Sequence, residues 1–203
     1  MKHAANIAAV AELRPAYLGF IFYDKSPRYI SEVSAELIKY VPQEIKTVGV
    51  FVDEDLETVK SSVAKHHLKA VQLHGKESVD FCKEVKQTGL EVIKAFGVHS
   101  DFDFSVVEAY EHVVDYFLFD TQTPAHGGSG RVFDWTLLEN YKLSKPYFLS
   151  GGIDLNHAEQ LKHIKDERLY AVDINSKFEL EPGLKDIEKL KGFLNELNSL
   201  PLV

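Results

Sequence analysis

Short apolar runs alternate with longer amphipathic stretches along the whole chain. The runs are rich in Val, Ile, Phe and Tyr and read as continuously apolar rather than alternating, which is typical of parallel strands buried on both faces. They lie at Tyr17–Phe22, Thr47–Phe51, Ala70–Leu73, Val92–Ala95, Tyr116–Phe119, Tyr147–Leu149 and Tyr170–Ile174. The pattern therefore predicts seven parallel strands.

The stretches between these runs place apolar residues at helical spacing. Asp55, Asp134 and Asp154 stand where N-capping residues are expected. The predicted helices are Ser31–Lys39, Leu56–His66, Ser78–Gln87, Phe104–His112, Trp135–Leu143, Asn156–Ile164 and Leu184–Leu197, preceded by an N-terminal helix with a stripe through Asn6, Ile7, Val10 and Leu13.

The spacing between strands identifies the fold class. Strand starts about 22–30 residues apart match the βα unit of an eight-fold barrel of ~200–250 residues. An open doubly wound sheet usually carries a G-x-G-x-x-G phosphate loop after its first strand, and this chain has none. We predict an α/β fold, a (β/α)₈ TIM barrel, as a single domain over residues 1–203.

The strand count falls one short of a closed barrel, which needs eight strands and no raw edges. Two explanations are open: either an eighth strand comes from residues outside this chain, or the barrel is not closed. The first is favoured, so the first β-strand is expected just before Met1.

Composition narrows the function classes. The chain carries a formal net charge of −8 and has no basic block, so nucleic acid and anionic membrane are poor partners. No apolar run reaches the ~18–20 residues that span a bilayer. The lone cysteine, Cys82, excludes an internal disulfide. A cytoplasmic protein is expected, and nothing requires more than a monomer.

Chemistry in such barrels gathers at the carboxyl ends of the strands. After the first run, Arg28 lies in a loop that suits a carboxylate or a phosphate, although a solvated basic loop is equally consistent. After the third run, His74 could be catalytic or could bond a loop carbonyl.

Two further strand ends carry candidate residues. Asp120 ends a fully apolar strand, where burial raises a carboxyl pKa and suits a general acid; the alternative is a capping role. Behind it, Gly127 and Gly128 could let backbone approach a ligand. The last two strands lead into residues typical of a phosphate site, or of tight turns only. These residues are Gly151, Gly152, Asp173, Asn175 and Ser176.

Several blocks of sequence resemble the phosphoribosylanthranilate isomerase family. They run in that family's order and spacing from about Gly19 to Asp186. The blocks are Gly19–Phe22 with Lys25–Tyr29, Val71–Gly75, Phe119–Thr121 with Gly127–Gly130 and Phe133–Trp135, Leu149–Gly152, and Val172–Ser176 leading to Glu181–Gly183.

The resemblance implies an Amadori rearrangement of a small phosphorylated substrate, without metal or cofactor. It implies that Asp120 is the general acid and that Arg28 faces the anthranilate carboxylate. It also implies that backbone groups of Gly151, Gly152, Asn175 and Ser176 hold the phosphate, while His74, Gly127, Gly128 and Asp173 are further expected substrate contacts.

The sequence departs from the family at the general base, a cysteine in a Cys-Gly-Met-like motif at the end of the first strand. Met1 resembles the Met of that motif, and Cys82 is in the wrong place to replace the cysteine. Two hypotheses follow: an enzyme whose natural chain is longer, or a barrel that only binds a phosphorylated ligand. If the chain turns over without that cysteine, His74 and Asp173 are the next candidates for the base.

Overall fold

The computed structural model describes residues 1–121 and 132–197. Within these ranges seven strands form one parallel sheet whose order follows the sequence. The strands are β1 (Tyr17–Ile21), β2 (Lys46–Phe51), β3 (Ala70–Leu73), β4 (Glu91–Val98), β5 (Tyr116–Thr121), β6 (Tyr147–Leu149) and β7 (Leu169–Val172). The seven predicted strands are confirmed, and β4 extends three residues past its predicted end.

The sheet curls so that its first and last strands approach each other. Side chains on one face form an inner cluster that includes Tyr17 of β1, Phe148 of β6 and Ala171 of β7. The Tyr17 ring lies 5.3 Å from the Phe148 ring and 6.4 Å from that of Tyr170 on β7. The other face packs against the helices. Burial on both faces is why the strands read as continuous apolar runs.

Helices cover the outer face of the sheet. They are α1 (Ala4–Glu12), α2 (Ala35–Ile38), α3 (Leu56–His66), α4 (Val79–Lys86), α5 (Ala158–Lys162) and α6 (Ile187–Leu197). The three predicted caps are confirmed, since the carboxylates of Asp55, Asp134 and Asp154 accept hydrogen bonds from the backbone N–H groups of Thr58, Thr136 and Asn156.

Several predicted helices differ in type or length. The segments Phe104–Tyr110 and Trp135–Asn140 are 3₁₀ helices, and Leu155–His157 is a 3₁₀ turn that leads into α5. The predicted helix Ser31–Lys39 contracts to the single turn of α2. Both helix types bring residues three positions apart to the same side, so the apolar spacing of such short segments did not separate them.

The beginning of the last predicted helix was wrong. Residues 184 and 185 form a short strand, β9 (Leu184–Lys185), which pairs antiparallel with β8 (Glu179–Glu181), and α6 begins only at Ile187. Gly183 turns this hairpin with a φ of +90°, a conformation that glycine adopts without a steric penalty. The hairpin brings two charged side chains to the site described below.

The described sheet has two edges, because β1 and β7 have no hydrogen-bonded partner strand on their outer sides in residues 1–121 and 132–197. The described residues therefore have the α/β class and the strand order of a (β/α) barrel, with seven strands. None of the helices in these ranges combines the length and the apolar character needed to cross a membrane.

Candidate active site

A pocket of about 350 Å³ extends from the carboxyl ends of the parallel strands along β1 to α1 and α6. Because the strands all run in one direction, the loops that follow them meet at this end of the sheet. The predicted residues that line the pocket are Arg28, His74, Asp120, Gly151, Gly152, Asp173, Asn175 and Ser176. The two remaining predicted residues, Gly127 and Gly128, lie outside the described residues.

Asp120 and His74 form a pair at the centre of the pocket. The His74 Nε2 atom lies 3.2 Å from Asp120 Oδ2, and its Nδ1 atom lies 2.7 Å from the amide nitrogen of Gln72. An amide nitrogen can only donate, so the neutral imidazole carries its proton on Nε2 and donates it to Asp120. The second oxygen of Asp120 accepts from the backbone N–H of Thr121 at 2.8 Å. This places the carboxyl group of Asp120 beside a group that can resupply a proton.

Asp173 is a second carboxyl group in the same pocket, one residue beyond β7. Burial, together with the negative charge of Asp120, raises its pKa from 3.8 to about 6. The hydroxyl of Ser150 donates to Asp173 Oδ2 at 3.3 Å. A carboxylate with a raised pKa is a stronger base than an ordinary one and is still mostly ionised at neutral pH.

The turn after β6 brings backbone close to Asp120. Gly151 has a φ of +95°, and a Cβ atom there would lie 2.3 Å from the backbone nitrogen of Thr121 and 2.6 Å from Asp120 Oδ1. Gly152 follows with a φ of +71°. The close approach of this backbone to Asp120 and Thr121 therefore requires glycine at position 151.

A buried ion pair that sequence reasoning missed lies behind His74. The Lys94 side chain on β4 and the Glu77 side chain are each only 2% exposed, and their charged atoms are 3.0 Å apart. Lys94 Nζ also donates to the carbonyl oxygens of Leu73 and Gly75, the two neighbours of His74. Glu77 accepts from the backbone N–H of Gly75. The pair therefore holds the loop that carries His74.

A second missed cluster surrounds Arg28. Its guanidinium makes a bidentate contact with Glu179 on β8, with Nε at 2.8 Å and one terminal nitrogen at 2.7 Å from Oε2. Lys185 on β9 contacts the other oxygen of Glu179 at 3.3 Å. Burial by itself raises the pKa of Glu179, but the hydrogen bond from Arg28 and the charge of Lys185 outweigh it, so the pKa lies below its usual value.

Signals for these missed residues are present in the sequence in retrospect. Lys94 is a lysine inside an otherwise apolar strand, a position that requires a buried partner. Glu179 and Lys185 flank the Glu181–Gly183 block that carries part of the family resemblance. No local pattern identified which residue each of them contacts.

Cys82 plays no part in the pocket. It is fully buried on α4, it does not line the cavity, and burial raises the pKa of its thiol to about 12. The interpretation of Cys82 as a core residue away from the site is consistent with this placement. A thiol with such a pKa is a poor base at neutral pH.

Asp173→Asn is expected to stabilise the fold at neutral pH. The raised pKa means that between pH 3.8 and about 6 the folded state binds more protons than the unfolded state, so this carboxyl group lowers stability as the pH rises through that window. The full effect is at most about 3 kcal/mol. In urea unfolding, the free energy of unfolding of the variant should exceed that of the unsubstituted protein slightly near pH ~4 and by the full amount by pH ~7. An advantage that is constant with pH would contradict this assignment.

Two sequence comparisons with known proteins point to the same family. The family model described as N-(5'phosphoribosyl)anthranilate (PRA) isomerase matches residues 1–196. A protein of Parabacteroides distasonis named N-(5'-phosphoribosyl)anthranilate isomerase is 41% identical over 97% of this chain and 90% of its own length.

Solved structures agree with the sequence comparison. The crystal structure of phosphoribosyl anthranilate isomerase from Thermotoga maritima superposes with a TM-score of 0.84 at 32% identity, over 98% of this chain and 96% of that one. A second phosphoribosyl anthranilate isomerase structure superposes with a TM-score of 0.80 at 29% identity, over 98% and 95% of the two chains. That protein is in complex with reduced 1-(o-carboxyphenylamino)-1-deoxyribulose 5-phosphate.

Proposed function

Because this chain belongs to the N-(5'-phosphoribosyl)anthranilate isomerase family, we propose that its pocket converts N-(5′-phosphoribosyl)anthranilate to 1-(2-carboxyphenylamino)-1-deoxyribulose 5-phosphate. The observation that carries this proposal is the arrangement of one pocket. A cationic side chain, Arg28, a pair of carboxyl groups, Asp120 and Asp173, and the turns after β6 and β7 all line it. The enzyme class is an isomerase of the aldose–ketose type in tryptophan biosynthesis.

The two ends of the substrate are recognised by different chemistry. Arg28 pairs with the anthranilate carboxylate through the guanidinium edge that Glu179 does not occupy. The backbone of Gly151 and Gly152, with Asn175 and Ser176 after β7, holds the phosphate, as turns after the last two strands do in many barrels of this type. The reacting sugar carbons then lie between the two carboxyl groups.

The rearrangement is a sequence of proton transfers. Asp120 donates a proton to the ring oxygen as the C1–O bond breaks, and the lone pair of the anthranilate nitrogen forms a protonated imine with C1. His74 supports this step through its contact with Asp120. A base then removes the C2 proton, and the electron pair forms the C1–C2 double bond of an enolamine. Protonation at C1 and conversion of the C2 hydroxyl to a ketone complete the reaction without any external oxidant or reductant.

Asp173 is the base in this proposal. The family resemblance implies a cysteine for that role, but Cys82 is buried away from the pocket and its pKa is raised. Asp173 lines the pocket with Asp120, and its pKa of about 6 leaves it ionised and basic at neutral pH.

Turnover measured by loss of phosphoribosylanthranilate fluorescence tests the proposal. The purified protein should be active, and Asp173→Asn should lower kcat by about 10²–10⁴-fold, because an amide cannot accept the C2 proton. The rate of the unsubstituted protein should fall below pH ~6, as Asp173 becomes protonated. Cys82→Ala, a change outside the pocket, should keep turnover within about twofold.

Two outcomes would contradict these assignments. Full activity in Asp173→Asn would exclude Asp173 as the base and make His74 the next candidate. Binding of the reduced product analogue without any turnover would favour the alternative, a barrel that only binds a phosphorylated ligand.

The setting of the reaction is also a proposal. We place the protein in the cytoplasm as a monomer that acts on a small phosphorylated molecule and needs no cofactor, metal, membrane or nucleic acid. The free cysteine and the net charge of −8 support this view. Light scattering at micromolar concentration would test the monomer, and a stable dimer would contradict it.

A further inference from the structure

Glu179 joins the two ends of the pocket. Its side chain is only 4% exposed, and both of its oxygens are occupied. Oε2 accepts from Arg28, while Oε1 accepts from Lys185 at 3.3 Å and from the backbone N–H of Gly183 at 3.1 Å. A buried carboxylate between two cations is balanced only while both partners stay in place.

The two cations hold different parts of the site. Arg28 follows β1 and lines the pocket where the substrate carboxylate is proposed to lie. Lys185 donates to the backbone oxygen of Asn175 at 3.1 Å and to its side-chain oxygen at 2.7 Å. Asn175 begins the turn that is proposed to hold the phosphate. With Glu179 as its third contact, Lys185 has used its three donors and orients Asn175.

The hairpin that carries Glu179 and Lys185 is itself anchored. The side-chain amide of Asn6 on α1 donates to the carbonyl oxygen of Lys185 and accepts from its N–H, both at 2.8 Å. Asn6 is buried, so these two bonds are shielded from water. The hairpin that carries Glu179 is therefore held in place, and its carboxylate can fix the positions of both cations.

We propose that Glu179 is a positioning residue that couples recognition of the substrate's carboxylate, through Arg28, to recognition of its phosphate, through Lys185 and Asn175. The inference rests on the proposed function. Nothing in it requires Glu179 to touch the substrate. Without the carboxylate, the guanidinium of Arg28 loses its fixed plane, and two partly buried cations lose the negative charge between them.

Ligand binding to single variants gives the first test. The probes are the reduced product analogue, which carries both a carboxylate and a phosphate, and inorganic phosphate, which carries one end only. Glu179→Gln should raise the Kd of the analogue at least tenfold and lower kcat/KM by a similar factor. Arg28→Met should weaken the analogue more than it weakens inorganic phosphate, whereas Lys185→Met should weaken both. A change in KM with little change in kcat is expected for Glu179→Gln, since the acid and base stay in place.

A double-mutant cycle tests the coupling, and its first part, made with Glu179 present, does not depend on the folding of Glu179→Gln. With Glu179 present, the loss of analogue affinity in the double variant, Arg28→Met with Lys185→Met, should differ by at least about fivefold from the product of the two single losses. The reason is that each cation's position depends on the shared carboxylate. In the Glu179→Gln background the two losses should multiply.

The outcomes separate this inference from the proposed function. Independent losses with Glu179 present, or unchanged binding in a folded Glu179→Gln protein, would overturn the coupling role. If the unsubstituted protein neither binds the analogue nor turns over the substrate, the proposed function fails instead.

Discussion

Asp120→Asn should lower kcat by about 10²–10⁴-fold while changing KM little, which is the range for loss of one positioned general acid. Asparagine has nearly the same shape, and its one side-chain oxygen can still accept the hydrogen bond from the backbone of Thr121, but its amide nitrogen cannot accept from His74. It cannot deliver a proton to the ring oxygen. The loss should therefore fall on the chemical step, visible in steady-state turnover followed by substrate fluorescence.

A matched control lies next to the other end of β5. Asp115 precedes β5 at the end opposite to the pocket, where it pairs with Lys86 at 2.6 Å. Asp115→Asn makes the same chemical change far from the pocket and should keep kcat within about twofold. Equal losses in the two variants would show that the effect of Asp120→Asn comes from folding, and a fully active Asp120→Asn protein would remove Asp120 from the mechanism.

Lys94→Met should destabilise the fold by about 3–5 kcal/mol, because it leaves Glu77 as an uncompensated buried charge. It also removes the donor that the carbonyl oxygens of Leu73 and Gly75 share. Urea unfolding followed by circular dichroism measures this loss. Turnover should fall as well at temperatures where the protein is folded, since the loop that holds His74 against Asp120 loses its support.

Two further variants separate charge from packing in this prediction. Lys60→Met breaks an exposed pair with Glu57 and should cost about 0.5 kcal/mol or less. The double variant Lys94→Met with Glu77→Gln removes the unpaired charge but keeps an acceptor for the N–H of Gly75, so it should be more stable than Lys94→Met alone. Similar losses for Lys94→Met and Lys60→Met would contradict a special role for the buried pair.

Much of the fold could be predicted from local pattern. Each strand of the sheet is buried on both faces, so its apolar run is visible without knowledge of its neighbours. The cap at Asp55 involves residues three positions apart and could be predicted for the same reason. The residues of the pocket could be predicted because parallel strands bring their ends together, and Arg28, His74, Asp120 and Asp173 all line it.

Tertiary structure alone decided how these residues are paired. Arg28 and Glu179 are separated by 151 positions, and Asn6 and Lys185 by 179. No periodicity in the sequence specifies contacts at such distances. The hairpin at Leu184–Lys185 was taken for part of a helix because its pairing and its bonds to Asn6 lie outside the local pattern.

The sequence by itself thus determined which side chains are buried and at which strand ends chemistry can occur, because both follow from the local order of apolar and polar residues. The tertiary structure decided the charge of the site. Desolvation and the approach of Asp120 raise the pKa of Asp173, and Glu179 balances two cations from distant segments. Burial and Coulombic interaction depend on distances in space, and the folded chain alone sets those distances.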